Sequence, residues 1–155
     1  MSQLPIKIYT DGSSSGNPGP GGYGIVMKYG EHTKEFSKGF RKTTNNRMEL
    51  LAVVDALRKI TNDQIPVVVY SDSKYVIDAI EKGWVYSWRK KGFAKKKNPD
   101  LWRDYLAVSE RFDVKFIWVK GHAGHLENER CDTLAVAAGQ HPTAIDSNYE
   151  NGING

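Results

Sequence analysis

Three acids in this chain stand where a carboxylate can do chemistry. Asp11 closes the alternating run Ile6-Lys7-Ile8-Tyr9-Thr10, Asp72 closes the run that starts at Val67, and Glu49 lies near the apolar face of a helix that starts within TTNNRMEL. α/β sheets bind ligands at the carboxyl ends of central strands, so two strand-end acids and a helix acid reaching toward them make one site. Asp132, in the last helical stretch, joins them on the same layout. Like charges packed that closely repel, and an ion of charge two or more relieves the repulsion. Hard oxygen ligands, without a cysteine or paired-histidine cluster, favour Mg²⁺ or Mn²⁺ over zinc. Two such ions about 4 Å apart activate a water and stabilise a leaving oxygen in phosphodiester cleavage. The pattern points to phosphoryl transfer.

The elements that must position these acids follow from periodicity and turn chemistry. Residues 6–11 predict the first strand, ending at Asp11, and Gly12 to Gly22 predict a loop of little side-chain bulk that a polymer can approach. Tyr23 to Tyr29 and Thr33 to Phe40 read as two further strands about the short turn Gly30-Glu31-His32. A helix is expected from Asn45 to Asn62, with Leu50, Val53, Val54, Leu57 and Ile60 as its buried stripe. Val67 to Tyr70 is an unbroken apolar run, as suits a strand covered on both faces. Helices are predicted over Ser73 to Lys82, from an Asn98-Pro99-Asp100 start to Arg111, and over Glu129 to Gly139. Val114 to Lys120 alternates as the last strand, and Gly121 to Asn128 is a histidine- and glycine-containing loop.

That order implies an α/β fold with a mixed five-stranded sheet: three antiparallel strands, then two added in parallel through helical crossovers, with helices on both faces. Asp11 and Asp72 then end neighbouring parallel strands. Residues 1–142 are expected to form one domain, and residues 143–155 a flexible C-terminal tail.

Composition bounds what such a site can serve. With 155 residues, 39% of them hydrophobic, the chain has enough apolar mass for one sizeable core. The excess of 22 Lys and Arg over 18 Asp and Glu gives a net charge of +4, compatible with an anionic partner. Much of the positive charge lies in WVYSWRKKGFAKKKN, where Trp84, Trp88 and Phe93 interleave with lysines and arginines. Cys131 is the only cysteine, which excludes an internal disulfide and fits a reducing compartment. There is no apolar run of membrane-spanning length and no signal-peptide pattern at MSQLPIKIY, so a cytoplasmic protein without membrane partners is expected.

Five stretches carry a family resemblance: YTDGSSSGNPGPGGYG, TTNNRMEL, YSDSKYV, NPDLW and WVKGHAGHLENERCDTLA. In this order and spacing, over nearly the whole chain, they resemble type 1 ribonuclease H, the family that cuts the RNA strand of an RNA–DNA hybrid. The resemblance implies a ribonuclease H fold with Asp11, Glu49, Asp72 and Asp132 as metal-binding carboxylates. It implies that His122, the first histidine of GHAGH, assists the attacking water or product departure, while His125 matches a non-catalytic position.

The same resemblance implies the substrate contacts. Asn17, Asn46 and Lys74 fall where the family touches the minor groove of the hybrid, and Gly12 and Ser13 allow close backbone approach to the RNA. Lys74 departs from the glutamine of some relatives. Lys42, Thr44 and Asn98 match a pocket for a DNA-strand phosphate. Trp84, Trp88 and Phe93, with Lys97 of the basic run, match an aromatic and basic handle along the DNA strand, several residues shorter here than in the long family form.

Plainer readings compete at each position. Alone, Asp11 or Asp72 would be a turn or capping acid, Glu49 a solvated helix residue, the lysine run a solvated face, and the tryptophans packing residues. Cys131 reads as a small buried hydrophobe. The convergence of the acids reverses the balance and gives one expectation: a monomeric, metal-dependent endoribonuclease of RNA–DNA hybrids using two Mg²⁺, with Mn²⁺ as the other candidate, and yielding 5′-phosphate and 3′-hydroxyl ends. The alternatives are another metal nuclease of the same fold, such as a junction resolvase or integrase-like enzyme, and a non-catalytic hybrid-binding module. Binding alone needs no repulsive set of four acids.

Overall fold

The computed structural model describes residues 4–120 and 125–155. Along β1 (Ile6–Ser14) every residue from Ile8 to Gly12 is buried, which places this strand at the centre of a sheet covered on both faces. It pairs antiparallel with β2 (Gly19–Tyr29), which pairs antiparallel with β3 (His32–Thr43). On its other side β1 runs parallel to β4 (Val67–Ser71), and β4 parallel to β5 (Val114–Trp118). The strand order β3-β2-β1-β4-β5 is the predicted mixed sheet of three antiparallel and two parallel strands.

Local chemistry sets the helix starts. Thr44 caps α1 (Asn45–Arg58) by accepting from the Arg47 backbone N–H at 3.2 Å, and Ser73 caps α2 (Lys74–Glu81) by accepting from Val76 at 3.2 Å. α3 (Trp84–Lys90) is short, α4 (Pro99–Ser109) opens on its proline, α5 (Leu126–Gln140) is the longest, and α6 (Ser147–Glu150) is a single turn. Leu50, Val53, Val54 and Leu57 of α1 pack with Ile6, Ile8, Ile25, Val67 and Val69 of the sheet in the main core. Cys131 of α5 packs on Tyr9 and Val26 in a second apolar cluster. Helices thus cover both faces, and Cys131 is the small buried residue it was expected to be.

Several predicted boundaries move. The first strand does not stop at Asp11, and the expected loop shrinks to residues 15–18. The glycines there serve close packing: a Cβ on Gly12 would collide with the backbone of Met48 and Glu49, and one on Gly24 with the Cys131 carbonyl. The helix ends at Arg58, four residues before Asn62, and α5 starts at Leu126, three residues before Glu129.

Residues 143–155, expected to be a flexible tail, are docked on the domain. The Ala144 carbonyl accepts from the Arg41 N–H at 3.1 Å, and Asp146 accepts from Thr43 Oγ1 at 2.7 Å and Arg47 Nε at 2.7 Å. The Asn154 carbonyl accepts from the Asn98 N–H at 2.5 Å. The anchor is a buried arginine on α1, which no local pattern in the tail announces.

Candidate active site

Tyr9 pairs with Tyr70 at the last parallel rung of β1 and β4. Asp11, within β1, and Asp72, the residue after β4, are each two residues beyond it. Glu49 comes to the same place from the second turn of α1, because the missing Cβ of Gly12 lets the helix backbone sit against β1. One carboxylate oxygen from each of Asp11, Glu49 and Asp72 lies within 4.8 Å of the others. Asp11 and Glu49 are buried, at 4% and 6% exposure, and Asp72 is half-buried.

The electrostatics of the cluster are strained. The Gly12 N–H donates to Asp11 Oδ1 at 3.0 Å, but Glu49 Oε2 is buried without a hydrogen-bond partner among the described residues. Burial first, and the charge of Asp72 second, push the Asp11 carboxyl up to about 7 from an ordinary 3.8. Burial, then the charges of Asp11 and Asp72, hold Glu49 well above its ordinary value. Asp132, half-buried on α5, lies near enough to Asp11 to add to the rise, although it stands outside the tight group of three. Among the described residues, Asp11 and Glu49 have no ion pair like those that Arg47 makes with Asp100 and Asp146. A buried carboxylate oxygen without a donor, beside two more carboxylates, fits a divalent cation with hard oxygen ligands.

The remaining predicted residues divide by exposure. Asn17 is exposed, and its Oδ1 accepts from the Asn45 N–H at 3.0 Å, tying the hairpin turn to the start of α1. Asn46, Lys42, Lys74, Trp84 and Lys97 are exposed, and Ser13 is half-buried on the rim near Gly12. His122 lies outside the described residues; His125, exposed, precedes α5 and makes no side-chain cap. Trp88 is half-buried, edge-on to Trp102 at 6.0 Å between centroids, with Lys96 Nζ 5.1 Å from its ring centre.

Three of the expected substrate contacts are buried side chains. Phe93 is only 5% exposed and belongs to the main core, because the chain turns there through a left-handed backbone that tucks the ring inward, with Arg103 4.9 Å over it. Asn98 is fully buried. Its Nδ2 donates to Tyr75 Oη at 2.9 Å, and its Oδ1 accepts from Arg47 at 3.2 Å, so the side chain neither caps α4 nor faces an open pocket. Thr44, also buried, is held as the α1 cap.

Two residues near the site went unread in the sequence. Arg47, 1% exposed, donates to Asp100 and Asp146 through four hydrogen bonds of 2.7–2.9 Å; only its neighbour Glu49 drew notice to that turn. Trp118 ends β5 opposite Ser71, the residue before Asp72, and is 41% exposed. Its signal was available, since the last strand to be added lies at the sheet edge and leaves one face open.

A carboxylate cluster at the carboxyl ends of parallel strands, between a helix on each face of a mixed five-stranded sheet, defines an α/β protein with a site built for a divalent cation. The model of the RNase H family matches residues 4–140. A ribonuclease H of Desulforamulus reducens is 58% identical over 142 residues, covering 88% of this chain and 89% of that protein. Among solved structures, LC9-RNase H1, described as a type 1 enzyme with the type 2 active-site motif, matches with a TM-score of 0.80 at 32% identity, covering 97% of this chain and 81% of that one. LC11-RNase H1, solved in complex with an RNA/DNA hybrid, matches at 0.65 with 27% identity, covering 87% of this chain and 96% of that one. The chain belongs to the ribonuclease H family and is an enzyme of that class. No helix among the described residues is long and apolar enough to cross a membrane.

Proposed function

We propose that this enzyme hydrolyses the RNA strand of RNA–DNA hybrids in an Mg²⁺-dependent reaction that leaves 5′-phosphate and 3′-hydroxyl ends. The observation that carries the reading is the Asp11, Glu49 and Asp72 cluster, with its buried, unpartnered Glu49 oxygen. Asp11, Glu49, Asp72 and Asp132 would hold the ions. When bound, two Mg²⁺ supply water activation and stabilisation of the leaving oxygen. The protein contributes the rigid placement of the acids: β1 and β4 fix Asp11 and Asp72, and the Gly12 contact seats Glu49. His122, from its place in the sequence, assists the attacking water or product departure.

Recognition rests on shape. The wide minor groove of an A-like duplex displays 2′-hydroxyls and offers little sequence code, which suits small and polar groups such as Gly12, Ser13, Asn17 and Asn46 beside the acids. Trp84, Trp88 and the lysines that follow form the candidate contact to the DNA strand. The protein is taken to act as a cytoplasmic monomer. The test is incubation with labelled RNA–DNA hybrid, duplex DNA and duplex RNA, each with Mg²⁺ or EDTA. Cleavage of the hybrid alone, and only with Mg²⁺, is expected; an intact hybrid beside a cleaved DNA duplex or junction would replace this reading with another nuclease activity.

A further inference from the structure

We propose that Lys74, held over the indole of Trp118, binds a phosphate of the substrate on the β4–β5 flank of the carboxylate cluster, with Trp118 as its positioning residue. The inference rests on the hybrid-cleavage reading above and adds a subsite to it.

Position comes first. Trp118 pairs across the sheet with Ser71, and Lys74 is two residues after Asp72, so both border the acids from the side away from β2. Lys74 Nζ lies 4.2 Å from the centre of the Trp118 ring. Trp118 is 41% exposed and belongs to neither apolar cluster among the described residues, so packing does not account for a large indole here. Nor does helix stability account for the lysine. Lys74 occupies the first position of α2, where the positive end of the helix dipole disfavours a cation. What the pair achieves is a localised charge: a flexible ammonium is confined on an aromatic face while its other donors point to water.

The chemistry suits a phosphate: an ammonium carries a full positive charge and three donors, where a neutral amide would offer a donor and an acceptor without charge. A phosphate only accepts. A cation on this flank of the acid cluster also offsets the repulsion that a polyanion meets on approach.

The experiment measures hybrid cleavage by the full chain with Mg²⁺ across a salt series, for the wild type, Lys74→Gln, Lys74→Arg, Trp118→Leu, Trp118→Phe and the Lys74→Gln/Trp118→Leu double variant. Lys74→Gln should raise KM severalfold, keep kcat within about twofold, and reduce the slope of log affinity against log salt by about 0.7–0.9, the loss of one phosphate contact. Trp118→Leu should reproduce that KM and slope change, and the double variant should be no worse than either single one. Lys74→Arg and Trp118→Phe should retain most of the wild-type affinity. Lys74→Gln replaces an exposed side chain, so the result stands even if Trp118→Leu fails to fold. A wild type that cuts the hybrid, with Lys74→Gln unchanged in KM and slope, would overturn the subsite alone; a wild type that leaves the hybrid intact would overturn the hybrid reading and the subsite together.

Discussion

Two buried charge clusters grow from the same turn of α1, and their fates are opposite. Arg47 points to one side and meets Asp100, Asp146 and Asn98, so each carboxylate there faces a cation and the guanidinium donors are matched with acceptors. Glu49 points to the other and meets Asp11 and Asp72, so charge accumulates. In the first cluster burial alone would depress the guanidinium, but the bonds to Asp100 and Asp146 outweigh it and hold Arg47 raised. Burial alone would likewise raise Asp100, and Arg47 holds it below the ordinary carboxylate range. In the second, burial and repulsion act together and drive Asp11 and Glu49 upward. Balanced burial holds the tail, α1 and α4 together. The acid cluster is expected to cost stability in the metal-free protein, and its three carboxylates could hold a divalent cation.

The largest effect should come from the unbalanced side. Asp11→Asn or Asp72→Asn should reduce hybrid cleavage to background at saturating Mg²⁺ while leaving the circular dichroism spectrum unchanged. Full activity in either variant would remove that residue from the metal site.

Next in size is the balanced side. Arg47→Met strands the buried Asp146 and the half-buried Asp100, and removing one partner of a buried ion network costs about 3–5 kcal/mol. Chemical denaturation should register a loss of that size. Replacing Arg47, Asp100 and Asp146 together by apolar residues should recover much of it. If Arg47→Met is neutral, the network does not anchor the tail.

The two clusters also predict opposite pH responses in EDTA. Folded Asp11 titrates near 7 against an ordinary 3.8, so between those values the folded state holds a proton that the unfolded state has released. The stability it contributes is complete below about pH 4 and is lost as pH rises through 7. Asp100 is shifted downward, so its contribution is present above its ordinary range and is lost as pH falls through its lowered value. Urea midpoints across pH should therefore fall on both sides of a mildly acidic maximum. Asp11→Asn should flatten the descent toward neutral pH and leave the acid limb in place.

How far the sequence revealed all this depended on whether the cause was local. The strands, the helices that follow them and the acids near the strand ends follow from alternation, periodicity and topology, and the structure carries them. The glycines from Gly12 to Gly22 were misread as a loop because glycine signals both a turn and a close helix approach, and only the position of α1 and α5 distinguishes the two. Phe93 and Asn98 look like surface residues in a polar stretch, yet a left-handed backbone at each turns them inward. The docked tail depends on Asp146 reaching Arg47 across 99 residues, and nothing in either neighbourhood announces the other.

The smallest effect expected is at the exposed basic segment, which neither cluster touches. Combined Lys95→Ala, Lys96→Ala and Lys97→Ala should raise KM and lower the salt slope by about 0.7–0.9 for each lysine that meets a phosphate, with kcat nearly unchanged. An unchanged KM and slope would leave these lysines as a solvated surface.

The contrast between the clusters is tested most directly by unfolding free energies of the wild type and Asp11→Asn at pH 8, each in EDTA and in saturating Mg²⁺. In EDTA the variant should be the more stable, by about 1–3 kcal/mol, because the cost of burying a charge and, after it, the repulsion from Asp72 are relieved, at ~1.4 kcal/mol per pKa unit. Mg²⁺ should stabilise the wild type through binding to the folded state alone, and the variant much less. A variant that is less stable than the wild type in EDTA, with neither protein responding to Mg²⁺, would contradict the account.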